Sequence, residues 1–321
     1  MSKSLGNVVD PFQLLQQHDH QTDILRLWVA KGSLGANYPI SEAEFEQVAA
    51  FYKNLKNKLR FITGNLFDLR ESKFSKHFNE FSLLDRAWLH QIFVLVRDAD
   101  SEKFPAFQYN DLLSEVEQFL ERFSNHYITS AKDQLYCDQA QSEARLRRQL
   151  VFSAAYRAIQ YLLAPITPNL MEQIHHLVGK SSNSYFELKP NIATELAAFE
   201  QEPINQAYWR LIEMKQELVT LIQKLKVPGP KTNPLARVHL QINLSQHVND
   251  ILKSFLVSEE AKYILRCASV NVSETALKHA LSQGILVDFQ VADQQEQCPR
   301  CRLYSKSKDS LLCSRCQNAI Q

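Results

Sequence analysis

Apolar positions recur at helical spacing along most of this chain. Ser41 followed by Glu44 forms a capping box, so a helix is predicted to begin there. Phe45, Val48, Tyr52, Leu55, Leu59, Ile62 and Leu66 then recur three and four residues apart, one face of a long helix. A second helix fits 82–98, with Leu84, Ala87, Trp88, Ile92 and Leu95 on its buried side, and Pro105 breaks the pattern. A third runs through Leu113, Val116, Leu120, Phe123 and Tyr127, and a fourth spans 141–164. Pro168 opens a fifth, with Leu170, Ile174 and Leu177 facing inward. Modest connections between such helices predict an antiparallel bundle.

The pattern then changes twice. Residues 179–203 are rich in Ser, Asn and Pro and show no period, which reads as a linker. Helical spacing returns at Ile204, Ala207, Leu211, Met214, Leu218, Leu221 and Leu225, and Val227-Pro-Gly-Pro230 stops it. Val238, Leu240, Ile242 and Leu244 alternate with polar residues, a half-buried strand. A short helix at 247–257 and strands near 262–272 and 285–291 complete a small α/β unit. The segments are thus 1–40, a helical domain at 41–180, a linker at 181–203, a helix plus small α/β unit at 204–292, and a cysteine-rich end at 293–321. The fold class is mainly α.

Composition sharpens this picture at one point. There are 7 glycines in 321 residues, where an average near 7% would give about 22. Neither G-x-G-x-x-G nor G-x-x-x-x-G-K-[ST] is present, so a nucleotide site built on a glycine loop is disfavoured. The net charge of +1 gives no bulk argument for nucleic acid, and any such argument must come from local patches. The sequence holds no apolar run long enough to cross a membrane, and its first residues lack a signal-peptide core.

Two matched cysteine pairs carry the clearest chemistry. Cys298-Pro-Arg-Cys301 and Cys313-Ser-Arg-Cys316 are separated by eleven residues. Each pair offers two thiolates from one turn, and a hairpin between them would assemble a tetrahedral site for one zinc ion. Four protein ligands make such a site closed and structural. A redox pair or a disulfide knot is the alternative, and the matching of two pairs disfavours both. Cys137 and Cys267 read as buried small apolar residues. The same end carries Arg300, Arg302, Lys306, Lys308 and Arg315 against Asp309, with Tyr304 as an aromatic. It could contact phosphates and stack on a base, or be a solvated surface.

Basic residues also line the predicted helix at 41–66. Lys53, Lys56 and Arg60 lie at helical spacing, Lys58 adds a fourth charge, and residues 53–60 contain no acid. RNA phosphates and plain solubility are balanced readings of this stripe. For Arg145, Arg147 and Arg148 plain helix solubility is favoured over RNA contact. Trp28 and Trp88 lie on apolar faces and read as core. His175 and His176 are adjacent on a helix, point apart and do not make one metal site.

The start of the chain adds a resemblance. Met1-Ser2-Lys3-Ser4-Leu-Gly-Asn7 followed by Asp10-Pro11 resembles the K-M-S-K-S signature of class I aminoacyl-tRNA synthetases. Asp23-Ile-Leu-Arg-Leu-Trp-Val29 resembles the stem-contact segment that follows it in the isoleucyl, valyl and leucyl group. Lys58-Leu-Arg-Phe-Ile-Thr-Gly-Asn-Leu66, Leu84-Asp-Arg86 with Trp88, Lys132-Asp133 with Leu135-Tyr136, and Leu163-Ala-Pro-Ile-Thr-Pro168 are similar to the helical anticodon-binding domain of the isoleucyl enzyme. The four-cysteine end resembles the zinc-binding end of its bacterial type.

The resemblance implies ATP-dependent attachment of isoleucine to its tRNA, tRNA(Ile). By it, Lys3 would stabilise ATP phosphates, Ser2 and Ser4 would support that loop, and residues 1–40 would hold the signature loop and the stem-contact segment. Lys53, Lys56, Lys58, Arg60, Arg300, Arg302 and Arg315 become candidates for tRNA contact. The family's His-x-Gly-His motif is absent from the chain. This sequence therefore reads as a C-terminal part beginning inside the signature, unable alone to activate isoleucine and using ATP only with a catalytic half supplied elsewhere. The reading places it in the cytoplasm or an organelle matrix, with no membrane. A non-catalytic zinc-stabilised interaction protein, or a decayed remnant of a synthetase, is the alternative.

Overall fold

A computed structural model describes residues 4, 10–16, 21–32, 41–69, 80–178, 191–230, 232–244, 248–273, 277–291, 295–307 and 309–320. The chain divides into two compact units that interleave in sequence. One takes residues 1–72, 92–124 and 149–198, and the other takes 73–91, 125–148 and 199–321.

The helices of the first part are α1 (Pro11–Gln16), α2 (Thr22–Lys31), α3 (Glu42–Gly64) and α4 (Leu83–Asp98). They are followed by α5 (Tyr109–Arg122), α6 (Thr129–Cys137), α7 (Glu143–Leu163), α8 (Pro168–Leu177) and the single turn α9 (Asn191–Leu196). α3 starts where the capping box predicts. The Ser41 side chain accepts from the Glu44 N–H at 3.3 Å. Its buried face is Phe45, Val48, Phe51, Tyr52, Leu55, Leu59 and Ile62. In the first unit this face packs on α2 and α8.

α8 shows how local chemistry and tertiary packing cooperate. Pro168 stands in its first turn, but its own N-cap residue, Thr167, makes no side-chain cap bond. Asp23 of α2 supplies it instead. Its Oδ2 accepts the Leu170 N–H at 2.7 Å, and its Oδ1 accepts from Asn169 Nδ2 at 3.1 Å. Burial raises the Asp23 carboxyl above its ordinary value, although these donors pull the other way. Arg26, one turn on, donates from Nε to the Ile166 carbonyl at 2.9 Å and from Nη2 to the Pro165 carbonyl at 2.7 Å.

The second unit centres on α10 (Glu202–Lys224) and a four-stranded sheet. Trp88 is fully buried, with the Tyr127 and Tyr208 rings each 5.9 Å away. The sheet contains β1 (Val238–Leu244), β2 (Ser269–Val272), β3 (His279–Ala280) and β4 (Ile285–Val291), in the order β2-β1-β4-β3. β1 pairs parallel with β2 and antiparallel with β4, with Leu240 opposite Val270 on one side and Phe289 on the other. The β1 alternation is real: Val238, Leu240 and Ile242 are buried. The parallel crossover runs through α11 (Asp250–Val257) and α12 (Ala261–Leu265), and α10 packs on both helices.

Three expectations needed adjustment. The third helix does not run straight through Tyr127. A wide π-helical turn at Phe123–Ile128 separates α5 from α6. The wider turn shifts the helical phase, and the Tyr127 hydroxyl reaches Asp85 Oδ1 at 2.6 Å. The segment 262–272 is not all strand, because Ala261–Leu265 is a short helix ended by Arg266 at φ 60°. The stretch without a period at 179–203 holds α9 and buried Leu196 and Phe199. One helical turn is too short to show a repeat.

Candidate metal centre and basic faces

The last elements are β5 (Gln295–Gln297), β6 (Tyr304–Ser307) and α13 (Ser314–Asn318). β5 and β6 are antiparallel, so the hairpin encloses the first cysteine pair instead of lying wholly between the two pairs. Inside it, the Cys298 N–H donates to the Leu303 carbonyl at 2.9 Å and the Arg302 N–H to the Cys298 carbonyl at 2.8 Å. Arg302 adopts φ 63° to close this turn. The second pair straddles the start of α13, where Cys313 is the N-cap residue and the Gln317 N–H donates to its carbonyl at 3.0 Å.

These two turns converge. The four sulfurs of Cys298, Cys301, Cys313 and Cys316 all lie within 4.8 Å of one another, and all four residues are buried. None is disulfide-bonded. Cys301 Sγ and Cys313 Sγ are 3.7 Å apart. A tetrahedron with zinc–sulfur bonds of about 2.3 Å has an edge of about 3.8 Å. The donor set therefore fits a closed, four-thiolate metal site.

The electrostatics fit as well. Burial opposes ionisation of Cys298, but the backbone N–H groups of Cys313, Cys301 and Arg300 outweigh it and lower its pKa. Burial and the neighbouring thiols push Cys301 and Cys316 upward. The Cys298 thiolate is thus favoured, and Cys301 and Cys316 resist ionisation. A divalent cation at the centre would favour the thiolate form of Cys301 and Cys316.

The basic residues of this end do not share one role. Arg315 turns inward, with Nε 2.8 Å and Nη2 2.6 Å from Asp138 Oδ1. Lys306 is buried and donates to Glu296 Oε2 at 2.7 Å and to the Ser310 carbonyl at 2.8 Å. Arg300 Nη1 lies 3.4 Å from the Cys316 carbonyl. The Tyr304 ring, a candidate base platform, lies 5.6 Å beneath the Arg237 guanidinium. Arg302 is exposed.

The stripe on α3 is different. Lys53 and Arg60 are exposed, and Lys56 and Lys58 are half-buried. Lys56 Nζ reaches Gln173 Oε1 at 3.4 Å. Among the described residues, none of the four is in an ion pair.

Arg148, in contrast, is buried. It donates to Asp85 from Nη1, to Glu260 from Nη2, and to Gln134 Oε1 from Nε at 2.6 Å. Arg145 is also buried and donates from Nε to the Leu135 carbonyl at 3.1 Å. Both are thus held inside the protein, and neither belongs to the solvated helix face that the sequence favoured. His175 is buried and His176 exposed, which agrees with their pointing apart. Trp28 is half-buried. Ser4 is exposed, and Ser2, Lys3 and Lys308 lie outside the described residues.

A helical, cysteine-ended chain with these features has known counterparts. The sequence profile described as "Anticodon-binding domain of tRNA ligase" matches residues 85–248, and the chain belongs to that family. The isoleucine--tRNA ligase of Listeria monocytogenes is 27% identical over the whole chain and 35% of its own length. That of Thermosynechococcus vestitus is 28% identical over the whole chain and 36% of its length, and that of Nautilia profundicola is 26% identical over the whole chain and 33% of its length. The chain thus spans about a third of these relatives and matches their C-terminal part. Among solved structures, one from a LeuRS–tRNA–LeuAMS complex of Agrobacterium radiobacter K84 aligns with 91% of this chain and 32% of its own. Its identity is 16% and its TM-score 0.45, too low to bear on the fold. Among the described residues no helix is long and apolar enough to cross a membrane.

Proposed function

We propose that this chain is the tRNA-gripping C-terminal portion of an isoleucyl-tRNA synthetase, and that its RNA is the isoleucine tRNA. The alignment of its whole length with isoleucine--tRNA ligases carries this reading. The basic stripe on α3 supports it, since none of its four side chains is in an ion pair among the described residues. Lys53, Lys56, Lys58 and Arg60 would meet phosphates, and phosphate contacts supply most of the affinity in such interfaces. Arg302 and Arg300 would add contacts from the cysteine-rich end. Arg315 is committed to Asp138 and serves RNA binding only by holding that end in place.

Zinc is the metal proposed for Cys298, Cys301, Cys313 and Cys316. Its role is structural, since no coordination position is left for substrate. Four unbridged thiols suit a reducing compartment, and the proposed location is the cytoplasm. In the family's reaction ATP and isoleucine give an adenylate, and the isoleucyl group then passes to tRNA. Lys3, with Ser2 and Ser4, would act on ATP phosphates only beside a catalytic part. The division into a signature and stem-contact segment at 1–40, an anticodon-binding domain at 41–180 and a metal-bound end at 293–321 belongs to the same proposal.

A tagged chain recovered from cells tests the reading. Co-purifying RNA enriched in isoleucine tRNA supports it. Recovery of protein partners without RNA contradicts it and favours an interaction protein. Metal analysis of the purified chain is expected to give about one zinc per molecule.

A further inference from the structure

The second cysteine turn lies against the end of α6, and the contacts between them are specific. Residues on both sides of Cys137 are tied to residues on both sides of Cys316. Arg315 reaches Asp138 with Nε and Nη2, and its Nη2 also donates to the Asp133 carbonyl at 3.0 Å. Gln139 Nε2 donates to the Asn318 carbonyl at 3.2 Å. The Arg315 guanidinium lies 5.6 Å over the Tyr263 ring, and its Nη1 donates to the Tyr263 hydroxyl at 3.2 Å.

Bracketed in this way, Cys137 is 3% exposed and shares one buried cluster with Cys298, Cys301, Cys313 and Cys316. Leu303 and Leu312 pack on the outside of that cluster. An ordinary core cysteine sits among apolar side chains. This one shares its buried cluster with four cysteines whose sulfurs already fit a metal.

We propose that Cys137 is a fifth thiol of the metal centre, positioned to take over coordination when Cys316 leaves. In that exchange the Cys137 thiol gives its proton to solvent and forms a sulfur–metal bond. The Cys316–metal bond breaks, and that thiolate takes up a proton. No electrons move. The metal would then bridge the cysteine-rich end directly to α6. A reserve ligand already ordered beside the site loses little further freedom on binding, which favours recapture of the metal over its escape.

The inference rests on the reading of the four terminal cysteines as a metal centre, and cobalt(II) titration of the full chain separates the two. Thiolate-to-cobalt absorption reports the number of thiolates bound. Wild-type protein that binds no cobalt overturns the metal reading, and this inference with it. If wild type shows a four-thiolate spectrum, Cys316→Ser is expected to keep that spectrum with affinity weaker by about tenfold. The double variant Cys137→Ser with Cys316→Ser is expected to lose it. Identical spectra and affinities for the single and double variants overturn the inference. Should Cys316→Ser fail to fold by circular dichroism, Cys137→Ser alone decides. It is expected to keep the wild-type cobalt spectrum but release zinc to a chelator several-fold faster. A wild-type release rate overturns the inference.

Discussion

The Asp23 carboxylate on α2 caps the N-terminus of α8, accepting the Leu170 N–H at 2.7 Å. With Arg26 on the Pro165 and Ile166 carbonyls, one turn of α2 fastens both sides of the 164–168 turn. Two stretches that carry the family resemblance, 23–29 and 163–168, are therefore contacts of one another. Asp23→Ala leaves the Leu170 N–H without its carboxylate and is expected to cost about 1–3 kcal/mol. Urea unfolding checks this. Asp23→Asn keeps an acceptor oxygen and is expected to cost less.

Arg148 is the charge that the second unit can least afford to lose. It is 2% exposed and bonded to Asp85 and Glu260, with Asp85 also accepting from the Tyr127 hydroxyl and Ser82 Oγ. Arg148→Met would leave Asp85 buried without its cation. The expected loss is about 3–5 kcal/mol, the usual cost of breaking a buried pair. A mutant chain with wild-type stability in denaturant would show that the pair is dispensable.

Asp133 gives the second unit a pH signature. Burial pushes its carboxyl up to about 6, against the pull of Arg315 and Arg266. The unfolded carboxyl titrates near 4. A raised folded pKa means that its contribution is fully present below about pH 4 and is lost as pH rises through about 6. The shift corresponds to at most about 3 kcal/mol. Asp133→Asn is expected to be more stable than wild type at pH 7 and equal to it near pH 4. Thermal melts at the two pH values measure the difference, and parallel curves would contradict the assignment.

Metal removal should act through α6 as well as on the cysteine turns. The described residues among the last 24 bury little besides their four thiols, so metal binding would supply much of their folding energy. Chelation is expected to expose Asp133–Gln139 amides to hydrogen exchange together with those of 298–318, because Arg315 and Gln139 tie the two segments. Exchange confined to 298–318 would mean that the contacts with α6 do not depend on the metal.

Much of this was legible in the sequence, for identifiable reasons. The Ser41 capping box and the three-four spacing are local rules, and α3 obeys them. The β1 alternation needs only one buried face. The cysteine pairs declare themselves because each ligand pair comes from a single turn. What failed to show was whatever depends on a partner far along the chain. Charge alone could not separate Lys53 and Arg60, which face solvent, from Arg315 and Lys306, whose acids are Asp138 and Glu296. Cys137 is buried, as it read, but its neighbours in sequence do not disclose that it shares a cluster with the terminal cysteines. α9 and α12 are too short for their periods to register.

Binding of isoleucine tRNA by the whole chain, titrated across salt concentrations, tests the central claim most directly. The expected result is an affinity whose logarithm falls linearly with the logarithm of salt. Changing Lys53, Lys56 and Arg60 together to Gln is expected to flatten that slope by about 2 while leaving thermal stability unchanged. Absence of binding at low salt, or a slope that the triple variant does not alter, would contradict the account.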